Sequence, residues 1–555
     1  MNENSFLNKR QIIFSVSTTV TLLAIFPVVF NQLTWDDIYI IDNNPLLGKW
    51  TTLSEILTRP FWENSSFVEE PLMNYWRPMT SFILWGVSLI HQAPWMFHGV
   101  SLLAAILASI TIYFFAKTFL SPPEITHFAK WAGLLYLSHP LTAEVTCMAA
   151  NISDHLALIF FWSAFYHILK YIKNPGGIRL FIISTLVFLS CSSKEFGLIA
   201  AIIPTGFALL RKLPQHLDWV KLTAKQKTEL WCSCIVPAIA FLILRHFVLA
   251  SSDAVISKSM DATFLTSIFF GIGLAIEKIV CFAPSGTTAG AMEAHVLHIL
   301  LSSVAILTTI VTIVIAHKKS SKFAQIVFGL CAAHLLLIPS LFAVLPSDKF
   351  VEIPVRYFHL ALPGYLIALT PIVSRRLSSS KLFYLLPLIT ATLASNAYIR
   401  ISQWKDSISL FSSEVAASPD SPDRTINLAE ALIGIHAFTD AEKLLNDFEK
   451  KYQAQRRLME ADISSIRSEI SFGRDGDLQT AHMLAQKSIS INPNKIKFIE
   501  RFAIILAAEG RRDDAAILLK SAVGNRQFST QQKKYLLNLR NEIMQIDASK
   551  NVGEK

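Results

Sequence analysis

"KRQIIFSVSTTVTLLAIFPVVFNQLTWDDIYIIDNN" (residues 9–44) runs from two basic residues, through a long apolar stretch, straight into Asp36, Asp37 and Asp42. The apolar part approaches the roughly 20 residues that a helix needs to cross a bilayer. Lys9 and Arg10 mark its start as the cytoplasmic end. No small-residue cleavage site follows, so it reads as an uncleaved first span rather than a removed signal. The polar loop behind it, about 31–77, then lies on the outer side of the membrane.

The rest of the chain extends this reading. Of 555 residues, 52% are hydrophobic and only 16% charged. Up to about residue 400, apolar stretches alternate with short basic loops; beyond it the chain reads as water-soluble and helical. Much of the formal charge of +9 comes from Lys and Arg in those loops. That is the mark of cytoplasmic loops in a polytopic membrane protein and not of nucleic-acid binding. The six cysteines lie in or beside apolar stretches, where they serve as small packing residues; no disulfide framework and no metal site is expected from them.

Further spans are expected at about 95–117, 128–147, 154–172, 178–193, 195–212, 229–249, 295–316, 323–344, 355–374 and 382–400. "RPMTSFILWGVSLI" (77–90) is too short to cross comfortably and reads as an interfacial helix. The stretch 263–283 has the length of a span but carries Glu277 and Lys278. Charge bias favours a re-entrant or interfacial path for it, because "HKKSSK" and "RRLSSSK" then fall in the cytoplasm. About eleven spans result. An odd number places the C-terminus opposite the N-terminus, so loop 31–77, loop 345–355 and everything after 402 share the outer side.

From about residue 403 the pattern is paired amphipathic helices. Ala441, Ala481 and Ala515 open equivalent second helices, and Pro419 and Pro493 punctuate the pairs. The spacing and the small residues resemble a tetratricopeptide repeat. The fold expected is all-α: a membrane domain over 1–402, then a tetratricopeptide-like solenoid over 403–555.

Adjacent carboxylates where membrane meets water, in a loop rich in Trp and Tyr, suit an enzyme with one lipid and one soluble substrate. Either Asp36 or Asp37 can take a proton from a hydroxyl as it attacks a sugar's anomeric carbon, and the two titrate as a coupled pair. Arg77, Lys194 and Arg356 fall at outer ends of spans, together with His139, Glu144, Asp154, Glu195 and Tyr357. Cations so placed can hold a lipid phosphate and stabilise it as it leaves. A transporter fits less well, since the polar residues sit at span ends and not at the midplane.

The ordered set "WDDIYIIDNNPLL", "YWRPMTSF", "FHGVSLLAAILASITIYFF", "LSHPLTAEVTCMAANISDHLALIFF", "CSSKEFGLIA" and "VRYFHLALPGYLIAL" resembles the transmembrane, tetratricopeptide-repeat O-mannosyltransferases and their bacterial relatives. These belong to the C-type glycosyltransferase superfamily, and the likeness covers essentially the whole chain. It implies inverting transfer of one sugar, mannose in the named family, from a polyprenyl-phosphate donor to a hydroxyl. It places the catalytic acid in the first outer loop, with Asp36 favoured by analogy. It implies that the repeats handle a protein acceptor. It implies no metal, although some relatives use a divalent ion and "DD" is not their spacing. The sequence departs from the pattern at Leu141 and Thr142, before Asp154, and at Val355 ahead of Arg356 and Tyr357.

The expectation is therefore an integral, multi-pass glycosyltransferase. Its loop and repeats face the periplasm of a bacterial inner membrane, or the lumen of the endoplasmic reticulum in a eukaryote. Two alternatives remain from the sequence. One is transfer to a glycan or lipid A. The other is a catalytically silent anchor carrying a repeat platform for protein assembly.

Overall fold

The structure is a computed structural model. It describes residues 3–62, 75–120, 123–202, 221–250, 262–280, 288–290, 296–318, 321–343, 352–377, 381–453, 459–528 and 530–545. These residues are helical apart from turns, loops and one short antiparallel ladder, Thr288–Gly290 against Glu352–Pro354.

Among the described residues, five helical segments are long and apolar enough to cross a membrane: Lys9–Phe30, Pro94–Phe119, Ala149–Lys173, Ala224–Leu249 and Leu297–Ile315. Four of them carry exposed apolar residues, among them Val16, Leu23, Leu103, Ile243, Leu300 and Leu307, while Ala149–Lys173 is mostly buried. Stripes of that kind are unfavourable against water and fit acyl chains. Four further apolar helices are shorter: Pro78–Ile90, Gly177–Ser193, Ala324–Ile338 and Leu362–Ser374.

Several expected spans are built from shorter pieces. The stretch 128–147 divides into Pro123–Ser138 and Pro140–Cys147. Pro140 has no N–H to continue the first helix, and His139 caps the second by accepting the Leu141 N–H through Nδ1. The stretch 355–374 opens as a 3₁₀ turn, Val355–Leu360, before the helix Leu362–Leu377. The segment expected at 195–212 starts as the 3₁₀ helix Glu195–Ile202, and its remainder lies outside the described residues. So does most of loop 345–355. The charged stretch 263–283 forms the helix Ala262–Val280, where Glu277 pairs with Lys278 and with His298.

The membrane core is aromatic. Phe115, Trp162, Phe165 and Phe328 pack ring against ring, with centroids 4.9–5.7 Å from Phe115. Two glycines let a second pair of helices touch by their backbones. A Cβ on Gly329 would meet the Gly364 carbonyl at 2.6 Å, and one on Gly364 would meet the Gly329 carbonyl at 2.6 Å. Small residues at such crossings let membrane helices pack closely.

After residue 406 the helices run Ser407–Ala417, Pro422–Gly434, Phe438–Lys451, Glu460–Ile470, Leu478–Ile491, Ile496–Ala508, Arg512–Val523 and Thr530–Gln545. Most pack on the next in line, and Glu460–Ile470 also touches both Pro422–Gly434 and Ile496–Ala508. Ala441, Ala481 and Ala515 are fully buried at the crossings, where a larger side chain would push the helices apart. Glu430 ties the array across helices, meeting Lys497 at 2.5 Å and Arg501 at 3.6 Å. Burial would raise the Glu430 carboxyl, but these cations hold it below its ordinary range.

A buried ionic cluster joins the two halves. Arg400, near the end of the helix Leu385–Gln403, pairs through Nε with Glu144 and lies 3.5 Å from Glu414. Glu414 stands 3.8 Å from Arg424 of the helix Pro422–Gly434. The indole N–H of Trp404 donates to Glu144 at 3.2 Å.

Candidate functional site

The loop after the first span makes a sharp turn at Trp35. Its φ of 54° lies in the left-handed region, which a bulky side chain rarely enters and which costs of order 1–3 kcal/mol. The Asp37 N–H bonds the Thr34 carbonyl at 3.0 Å and the Ile38 N–H bonds the Trp35 carbonyl at 3.2 Å. The turn sends the two adjacent carboxylates to different places.

Asp37 is fully buried. Its Oδ2 accepts the Ala149 N–H at 2.9 Å and its Oδ1 the Ala150 N–H at 2.7 Å. Both oxygens are thus committed to the short turn between Pro140–Cys147 and Ile152–Lys173. Burial pushes the Asp37 carboxyl up to about 8, against the pull of the two amides and with a further push from Asp36.

Asp36 instead faces a small cavity, which it lines with Ile40, Phe61, Trp62, Tyr75, Arg77, Ala150, Asn151, Lys194, Arg356 and Tyr357. Burial raises its carboxyl above the usual range, and Arg356 and then Arg77 draw it part of the way back. The cavity therefore sets one carboxylate against three cations, between aromatic walls.

Two of the cations have close carboxylate partners. Arg77 forms a two-point pair with Glu195, Nε to Oε1 at 3.2 Å and Nη2 to Oε2 at 2.8 Å. Its guanidinium also stacks over Tyr75, 4.4 Å from the ring centre. Lys194 donates to Asp154 Oδ2 at 2.5 Å. Its backbone turns sharply into the 3₁₀ helix, and a Cβ on Gly197 would meet the Ser190 carbonyl oxygen at 2.4 Å, so that turn closes only with glycine there. Arg356 is held more loosely, with Nη2 at 4.0 Å from Asp36 Oδ2 and its guanidinium 5.5 Å from the Tyr357 ring. Beneath them, His359 bonds the Arg356 carbonyl through Nδ1 at 2.5 Å and places Nε2 4.0 Å from Asp154.

Asp36, Arg77, Lys194, Arg356 and Tyr357 thus meet in one cavity, with Glu195 and Asp154 as the partners of two cations. His139 and Glu144 lie elsewhere. His139 caps its helix and points Nε2 at the Ile279 carbonyl, 3.2 Å away. Glu144 belongs to the ionic cluster with Arg400. Asn151, Trp62 and Tyr75 line the cavity without having been singled out as site residues from sequence. Asn151 Nδ2 is buried and has no hydrogen-bond partner among the described residues. The loop's richness in aromatic residues was the available signal for Trp62 and Tyr75, and for Asn151 it was a polar residue at the outer end of an apolar stretch, close to Asp154.

Such a cavity can bind an anionic group next to a carboxylate of raised basicity, with flat rings for a sugar face to lie on. Among the described residues no group of three or more His, Cys, Asp or Glu side chains is placed to hold a metal ion.

Comparison with known proteins gives a relevant likeness. The chain is similar to protein O-mannosyl-transferase F38B6.6 of Caenorhabditis elegans, 25% identical over 438 residues, which is 74% of this chain and 58% of the relative. The chain thus spans less than two thirds of that relative's length. No family model matches the chain, and no solved structure matches it.

Proposed function

We propose that the chain is an inverting glycosyltransferase of the membrane. It moves a sugar, mannose by the likeness, from a polyprenyl-phosphate carrier to a hydroxyl, Ser or Thr of a protein, on the outer face. The observation that carries this reading is the meeting of Asp36 with Arg77, Lys194 and Arg356 in one aromatic-walled cavity beside the first apolar helix. The eleven-span topology, the outer-side placement of loop and helical pairs, and the tetratricopeptide-like character of those pairs belong to the same proposal.

The chemistry follows from the charges. The acceptor hydroxyl gives its proton to Asp36 as its oxygen attacks the anomeric carbon. The bond from that carbon to the phosphate oxygen breaks, and its electron pair leaves on the lipid phosphate. One displacement inverts the anomeric configuration. Arg356 is the cation best placed to meet the phosphate, since its pairing with Asp36 spans 4.0 Å. Its engagement by phosphate weakens its hold on Asp36, so the carboxylate becomes a stronger base once the donor is seated. Arg77 and Lys194, anchored by Glu195 and Asp154, add fixed positive charge without reorganisation. We read transfer as metal-independent, because three side-chain cations supply the charge that the departing phosphate needs.

Asp37 has a supporting role in this reading. Its two oxygens hold the turn at Ala149 and Ala150, which forms part of the cavity wall.

The test uses the full chain in lipid nanodiscs with polyprenyl-phosphate mannose, the matching glucose donor and a Ser/Thr-rich peptide. Glycopeptide that forms with native protein and not with Asp36→Asn, in inverted anomeric configuration by NMR, is the expected result. Product in which the donor's configuration is retained, or transfer that survives Asp36→Asn, rejects it.

A further inference from the structure

Asp36 follows a residue held in a conformation that its own side chain disfavours, and the groups that hold it there lie about the end of the last membrane helix. Trp35 stacks on Trp404, with ring centres 6.4 Å apart and planes 26° apart, and its ring also meets Phe411 at 5.5 Å. The backbone beside it is tied to the same place. The Gln32 N–H donates to the Lys405 carbonyl at 2.9 Å, and the Asn31 side-chain amide donates to the Ile401 carbonyl at 3.1 Å. Trp404 is itself buried, and Glu144 of the ionic cluster receives its indole N–H.

From these contacts we infer that Trp404 is a positioning residue for Asp36: it keeps Trp35 at positive φ and so aims the next side chain into the cavity. This rests on the reading of Asp36 as the base. Without the Trp404 ring, residue 35 relaxes toward the negative φ that a bulky side chain prefers. Asp37 stays fixed by Ala149 and Ala150, so the readjustment falls on the turn that carries Asp36. The cluster from Glu144 through Arg400 and Glu414 to Arg424 extends the same support to the first helical pair after the membrane domain. The seating of that pair on the membrane half then sets the geometry of the base. A misplacement of about 1 Å at a reacting group can cost about a hundredfold in rate.

The experiment uses the full chain in nanodiscs with polyprenyl-phosphate sugar and peptide. Trp404→Ala is expected to lower kcat about a hundredfold, with the donor KM within about twofold of native. Trp404→Phe retains a stacking ring and is expected near native. The decisive variant is Trp35→Gly in the Trp404→Ala background. Glycine adopts positive φ without a supporting ring, so it is expected to recover about tenfold or more. A Trp404 that only stabilised the fold would show no such recovery. Equal loss with and without the Trp35→Gly change overturns the inference, as does native kcat in Trp404→Ala. If the native chain transfers no sugar, the functional reading fails by itself. The inference is then judged by amide exchange at Asp37 and Ile38, whose N–H groups close the turn: faster exchange in Trp404→Ala upholds it, and unchanged exchange overturns it.

Discussion

Arg356 and Asp36 face each other with Nη2 and Oδ2 4.0 Å apart, close enough for their charges to interact and too far for a hydrogen bond. A pair so set leaves each group open to a second partner; in the proposed reaction these are phosphate for the arginine and a hydroxyl for the carboxylate.

Replacing Arg356 by Gln is expected to act on both partners. The donor KM rises, and the Asp36 carboxyl moves further up because the charge that most offsets its burial is gone. The sign can be followed in the rate profile. The base works only when ionised, so kcat/KM falls as pH drops through the Asp36 value, which already lies above the ordinary carboxylate range. In Arg356→Gln the acid limb should shift to higher pH. Parallel pH–rate profiles of the two proteins check this, and an unmoved or lowered limb contradicts it.

The adjacent acids should separate in their variants. Asp36→Asn is expected to leave folding intact and to reduce turnover by about 10²–10⁴-fold, the usual worth of a general base. Asp37→Asn presents one acceptor where two amides now donate, and should lose about 1–3 kcal/mol of stability. Thermal unfolding in detergent and single-turnover rates, measured side by side, distinguish the two. Equal stability losses would refute the division of labour.

Lys194 and Asp154 form a pair with side chains only 8% and 1% exposed. Asp154→Ala leaves a buried ammonium without its anion, at a cost of roughly 3–5 kcal/mol. The double variant with Lys194→Met should regain much of that stability while remaining poor in turnover, because a donor-side cation is missing. Chemical unfolding of the four proteins in a mutant cycle reads the coupling.

Asn151 should matter to the substrate and little to the fold. Its side-chain amide nitrogen has no partner among the described residues, so Asn151→Ala removes a donor without orphaning another group there. The expected outcome is a several-fold rise in donor or acceptor KM at native melting temperature. A large fall in melting temperature with unchanged KM would assign it to the scaffold.

Much of this arrangement was legible in the residues, and the unread part has a physical cause. Asp36, Arg77, Lys194 and Arg356 could be named because each charge falls at the end of an apolar stretch. The buried Ala441, Ala481 and Ala515 could be named because each is a small residue near the start of an amphipathic helix. What Asp37 does was hidden, because its partners are backbone amides 112 and 113 residues away, with no side chain to announce them. Glu144 and His139 were grouped with the site because they share its side of the membrane. Helix rotation decides what a side chain meets, and it turned Glu144 toward Arg400, 256 residues on. The break at Ser138–Pro140 was written in the sequence as a proline, but the apolar run around it read as a single span.

The contacts around Asp36 also have an order in time. The loop leaves the ribosome before these partners. The amides that fix Asp37 arrive much later in the chain, followed by Lys194, then Arg356, and last Trp404. A chain inserted from its N-terminus therefore anchors Asp37 well before Asp36, whose facing cation Arg356 and supporting ring Trp404 are made later. On the proposed reading, a chain whose insertion stalls before the helix Leu385–Gln403 would reach the bilayer with its donor-side charges in place and its base not yet aimed.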